Sequence, residues 1–156
     1  MSDIKVELDN VKKYLSDHVQ MSASTSGEFP WIFTAYYAVD SDLNLYFLTS
    51  PSTIHGKQLV DNPQVAVAIA DSPQSPAGKK SGLQISGVCT QITAEAEVRA
   101  GLVLWRAVLK VESPDYTYEG MQAGKIQGHM YKIVPKKIKL FNEALQEEGK
   151  EKLIEL

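Results

Sequence analysis

The sequence predicts a mainly-β (α+β) domain: an antiparallel barrel with flanking helices. Two strand-like runs joined by the turn Asp40-Ser41-Asp42 form a clear hairpin. More short strands follow without regular βαβ alternation, which favours an antiparallel barrel over a doubly wound parallel sheet. Amphipathic stretches near the start and in the second half supply helices to lie against it. No internal repeat and no long linker divides the chain, so residues 1–156 read as one domain.

Ile4, Leu8, Val11, Leu15 and Val19 recur at helical spacing with Lys5, Asp9, Lys12, Lys13 and Asp17 opposite, which predicts a helix over 4–20. Ser22 to Ser26 is a short polar strand. Trp31 to Val39 and Leu43 to Thr49 are the hairpin strands, rich in aromatic and β-branched residues. The first is apolar on nearly every residue, implying burial on both faces, as in a barrel wall that also lies under a partner subunit. Ser52 to Asp61 reads as a short helix stopped by Asn62-Pro63, because the residue before proline is pushed out of the helical region. Gln64 to Ala70 is a strand, Asp71 to Ser81 a loop, and Gly82 to Ile92 another strand. Thr93 is placed to cap a second long helix with the stripe Val98, Leu102, Trp105 and Leu109, ended by Ser113-Pro114-Asp115. After a glycine-rich loop, His129 to Val134 and Lys137 to Phe141 read as two strands broken by Pro135. Residues 143–156 favour a short terminal helix.

Composition narrows the function. The chain has 44% hydrophobic and 22% charged residues, like an ordinary globular protein, and its net charge of −3 speaks against a nucleic-acid partner. Cys89 is the single cysteine, so no intrachain disulfide and no cysteine-based zinc site is available. The start carries no basic and apolar leader pattern, which predicts a cytoplasmic location. The longest mostly apolar run, Trp31 to Val39, is far shorter than the roughly 20 residues that span a bilayer, so no membrane role is expected. No phosphate-binding P-loop, dinucleotide fingerprint or GxSxG elbow is present. His18, His55 and His129 fall on three different elements with no zinc-ligand spacing.

One segment carries chemistry. Leu48-Thr49-Ser50-Pro51-Ser52-Thr53-Ile54-His55-Gly56-Lys57 runs from a buried strand into a short helix. Hydroxyl groups crowd that helix start, where unpaired backbone N–H groups and the positive dipole end suit a phosphate. His55 in the first turn can donate to a phosphate oxygen or pair with it, and Lys57 adds charge nearby. From residue types alone the commoner reading is a plain cap by Ser52 or Thr53 with His55 on the surface.

Leu43 to Thr49, the hydroxyl-rich turn, Leu59-x-x-Asn62-Pro63-x-Val65-Ala66-Val67 and Gly82-Leu83-Gln84-Ile85-Ser86-Gly87 occur in that order over roughly residues 4–142. The set resembles the pyridoxamine-5′-phosphate-oxidase-like split-barrel flavoproteins, in particular their small members. That resemblance implies a split β-barrel homodimer holding FMN in grooves between two subunits. It implies contacts from the strand at Phe33, Thr34 and Ala35, from Leu48, Thr49 and Ser50 along the ribityl and phosphate side, from Thr53, Ile54 and His55 to the phosphate, and from the backbone of Gly82. The expected activity is a flavin-dependent oxidoreductase acting on a small molecule, with no side chain standing out as acid or base. The alternative is a non-enzymatic carrier of flavin, deazaflavin or haem, or a structural dimer without cofactor. Where the family commonly has basic residues at the positions of Phe33, Ile54 and His55, only His55 ionises here. The two arginines, Arg99 and Arg106, lie on the second long helix. The Arg-x-His segment near the C-terminus of the oxidase proper is replaced by an acidic and lysine-rich tail, which speaks against vitamin B6 synthesis.

Overall fold

The alternation of inward apolar and outward polar residues wraps six strands around a core and leaves a seventh at the edge. The computed structural model describes residues 3–147 and 149–156. Met1 and Ser2, part of the leader reading, and Glu148, in the expected terminal helix, lie outside the described residues. The elements are α1 (Asp3–Ser16), β1 (Gln20–Ser26), β2 (Pro30–Val39), β3 (Leu45–Thr49), α2 (Ile54–Asp61), β4 (Gln64–Ile69), β5 (Ser81–Gln91), α3 (Glu95–Leu109), α4 (Tyr118–Gln122), β6 (His129–Asn142) and β7 (Leu153–Glu155). All pairings are antiparallel, in the order β3-β2-β1-β4-β5-β6-β7. Strand β6 also pairs with β3, which closes six strands into a barrel and leaves β7 as an added edge. Strand β2 pairs with β3 only over Tyr37–Val39, and the free edge of its first half is where the barrel splits.

The interior is filled by alternate residues, among them Met21, Tyr37, Phe47, Val67, Ile85 and Ile138. A second cluster lies outside the barrel, where Val98, Leu102 and Trp105 of α3 cover Ala38, Tyr46 and Met130.

The structure corrects several expectations. The first helix stops at Ser16 rather than continuing to residue 20. The Tyr37 hydroxyl donates to the Leu15 carbonyl (2.7 Å), satisfying one of the helix's free carbonyls, and Val19 already accepts from the Tyr37 N–H as the chain turns into β1. Accordingly Val11 and Leu15 are fully buried while Ile4 and Val19 are exposed. Thr93 does not cap α3; Ala94 occupies the cap with no side-chain bond, and the helix ends at Leu109, before the expected Ser113 stop. Pro135 does not divide the last two strands. It sits where the β5–β6 register shifts, opposite Gly87, and the bulge absorbs the N–H that proline lacks. Instead of a helix, the tail forms β7, with Ile154 buried and Leu153–Glu155 paired to Lys137–Lys139. The glycine-rich loop contains the one-turn helix α4. Finally, β2 is not buried on both faces within the chain: Ile32 is 66% and Tyr36 55% exposed on its outer side.

Candidate functional site

The hydroxyl-rich turn folds as a strap across one mouth of the barrel. Thr53 caps α2: its Oγ1 accepts from the Gly56 N–H (3.0 Å) and donates to the Ser50 carbonyl (2.7 Å). The Thr53 N–H also reaches the Ser50 carbonyl, and the Ser50 and Ser52 hydroxyls lie 2.8 Å apart on the exposed side. Capping by Thr53 leaves the N–H groups of Ile54 and His55, at the first two helical positions, directed out of the helix end.

His55 points back toward the barrel. Its Nε2 shares a 2.6 Å hydrogen bond with Thr49 Oγ1, and its ring stacks on Phe33 at 3.8 Å between centroids with 10° between planes. Phe33 in turn touches the core ring Phe47. Burial lowers the His55 pKa, so the neutral imidazole is the form the unliganded chain favours. His55 therefore supplies a hydrogen bond at neutral pH rather than a standing charge.

The structure brings Phe33, Thr49, Ser50, Thr53, Ile54 and His55 to one corner. It does not bring all expected side chains there. Phe33 and Ala35 face the core, whereas Thr34 lies on the opposite, exposed face of β2. Likewise Leu48 faces α3 while its neighbour Thr49 faces the barrel mouth. At these two positions a ligand at the corner can meet only backbone. Gly82 is elsewhere: it pairs with Phe141, whereas Thr49 pairs with His129 at the other end of β6. Twelve residues of strand, roughly 40 Å of extended chain, separate the two pairings.

Two residues the sequence did not mark hold this corner in place. Gln58 on α2 accepts from the Thr25 hydroxyl (2.6 Å) and donates to the Phe29 carbonyl (3.0 Å), tying the helix to the tip of the β1–β2 hairpin. Thr25 is buried. A threonine alternating with Met21 and Ala23 on an inward strand face was the only available signal.

Clefts among the described residues open outside this corner rather than in it. One of about 540 Å³, between the hairpin tip and α2, shares only Ile54 with the expected site. Another, about 460 Å³, crosses the outer face of β1, β4 and β5, floored by Ser22, Ser24, Ala66 and Ala68 and walled by Ile32 and Leu153. Among the described residues no group of three or more His, Cys, Asp or Glu side chains could hold a metal ion, and no helix is long and apolar enough to cross a membrane. The Cys89 thiol is buried, and its pKa is pushed up to about 12 by that burial.

No profile of a known protein family matches the chain. Among solved structures, a Clostridium acetobutylicum protein related to general stress protein 26, of the pyridoxinephosphate oxidase family, superposes with a TM-score of 0.67 at 14% identity, covering 96% of this chain and 94% of that one. The chain has the pyridoxamine-phosphate-oxidase-like split-barrel fold. A FAD-binding protein of Mesorhizobium loti shares this split barrel, with a TM-score of 0.64 at 13% identity, covering 84% and 89% of the two chains. So does a haem-binding protein of Mycobacterium smegmatis, with a TM-score of 0.68 at 12% identity, covering 91% of this chain and 56% of that one. In sequence, 84 residues are 34% identical to UPF0306 protein YE0465 of Yersinia enterocolitica; the match spans 53% of this chain and 56% of that relative.

Proposed function

We propose that two copies of this chain hold FMN between them, with the phosphate on the Ser50–His55 corner, and that the protein is a flavin-dependent oxidoreductase of a small molecule. One observation carries the reading: Thr53 caps α2 so as to leave the Ile54 and His55 N–H groups pointing outward, and the Ser50 and Ser52 hydroxyls pair on the exposed side of the same turn. That donor set suits a phosphate. It lacks a guanidinium fork, so affinity rests on several N–H and O–H donors rather than on one bidentate cation. FMN, when bound, supplies the hydride and electron chemistry. The chain's own residues supply the phosphate cradle, and Thr49 fixes the His55 ring against Phe33.

The second copy has a physical basis. Ile32 and Tyr36 leave an apolar stripe open beside a floor of serine and alanine, which lets another subunit's backbone approach closely. The ring of the flavin would lie along the split edge of β2, with Gly82 contributed by the partner copy. A cytoplasmic location fits this chemistry.

An absorbance spectrum of protein purified without added cofactor tests the proposal. Flavin bands, or their appearance after adding FMN, support it, and oxidation of NADH or NADPH by the yellow protein supports the enzyme over a carrier. A Soret band, or colourless protein that does not take up FMN, overturns it.

A further inference from the structure

We infer that His129 is a phosphate-facing imidazole at this corner, reaching from β6 toward the ligand that the His55 N–H meets from α2; the inference rests on the flavin-nucleotide reading above. Its basis is the pairing register. Strands β3 and β6 pair Leu45 with Ile133, Phe47 with Tyr131 and Thr49 with His129. The first two pairs are buried in the barrel core, so by strand alternation Thr49 and His129 continue the same inward face to the barrel mouth. Directly opposed side chains start with Cβ atoms about 4.5–5.5 Å apart. Thr49 is the residue whose hydroxyl holds His55 Nε2 at 2.6 Å. The His129 ring is therefore rooted one side chain away from the His55 ring, on the same face.

The residue before it holds the two strands close. A Cβ on Gly128 would stand 3.2 Å from Leu48 Cβ and 3.6 Å from the Thr49 nitrogen, so the chain enters β6 pressed against the end of β3. The three histidines also differ in what engages them. His18 donates through Nδ1 to the Tyr14 carbonyl and stacks on the Tyr14 ring, while His55 is held by Thr49 and Phe33. His129 is exposed, and no side-chain bond ties its ring down among the described residues.

The chemistry also needs it. Both arginines are engaged on or near α3: Arg99 with Glu95 and Glu119, and Arg106 with the Val111 and Glu112 carbonyls. A phosphate at the corner meets N–H groups of α2 on one side, and an imidazole on β6 gives it a donor from another direction.

The test compares FMN with riboflavin, which has the same ring system and no phosphate, by titration of wild type, His129→Ala and His129→Arg. Expected for His129→Ala is FMN binding weaker by about tenfold, the size of one hydrogen bond to a charged acceptor, with riboflavin binding unchanged. His129→Arg restores or exceeds wild-type FMN affinity. A wild type that prefers FMN to riboflavin, with His129→Ala keeping that preference in full, overturns the role of His129 and leaves the flavin reading intact. A wild type that binds neither compound overturns both. Thermal melts of the variants confirm that each is folded.

Discussion

Replacing Gly56 by alanine sets two magnitudes against each other. Inside a helix the change ordinarily favours folding by about 1 kcal/mol, because alanine has less backbone freedom to lose. Here Gly56 lies under the strap, and a methyl group would stand 2.8 Å from the carbonyl oxygens of both Ser50 and Pro51 and 2.9 Å from the Pro51 carbonyl carbon, where ordinary contact begins at 3.4 Å. These are backbone atoms, and two hydrogen bonds from Thr53 fix the Ser50 carbonyl. They cannot rotate away as the end of a side chain would. Crowding of this kind costs about 1–3 kcal/mol, so a net loss near 1 kcal/mol is expected after the helix gain is subtracted. For a chain of this length that is a Tm lower by roughly 2–4 °C. Because the shift falls on the α2 start, FMN affinity should drop with it. Circular dichroism melts and FMN titration read both effects. Val60→Ala, at a position of the same helix that is 82% exposed, is the control expected within about 0.5 kcal/mol of wild type. A Gly56→Ala variant that melts higher than wild type and binds FMN unchanged would refute the close packing of strap and helix.

Three further outcomes follow from the same contacts. Gln58→Ala removes the acceptor of the buried Thr25 hydroxyl and the bond to Phe29, so it should destabilise by about 1–3 kcal/mol in urea unfolding; an unchanged midpoint would show that α2 is not clamped there. His55, whose pKa is lowered by burial, binds its proton more readily in the unfolded chain. Stability should therefore fall as pH drops from about 6.5 through the lowered folded value, and His55→Phe, which keeps a ring against Phe33, should flatten that part of the profile. Equal slopes in the two proteins would count against it. Ile154→Ala deletes buried volume in β7 and should lower stability by roughly 2 kcal/mol, whereas a loss below about 0.5 kcal/mol would mean that the added strand contributes little.

The barrel was legible wherever local chemistry and tertiary packing agree. The β2–β3 hairpin is one case. Its strands are written in aromatic and branched residues, and the Asp40 carboxylate accepts from the N–H groups of Asp42 and Asn44, which supports Leu43 in its left-handed conformation at φ 69°. What stayed hidden depends on distant partners. The end of α1 is set by the Tyr37 hydroxyl, and Pro135 is accommodated by a bulge opposite Gly87. Strand β7 is three residues long and shows no periodicity of its own. At the site, residue types marked the Ser50–His55 turn, but the Phe33–His55 stack appears only when α2 folds across the barrel mouth. Strand alternation already separates Thr34 from Phe33 and Leu48 from Thr49, so treating each run as one contact surface combined two faces that the sheet keeps apart.

A crystal structure of the chain grown with excess FMN is the most direct measurement. The phosphate is expected against the Ile54 and His55 N–H groups and the Ser50 and Ser52 hydroxyls, with the ring between two subunits. Density for FMN at any other place, or a corner closed by the strap's own side chains in the presence of saturating nucleotide, would contradict the assignment.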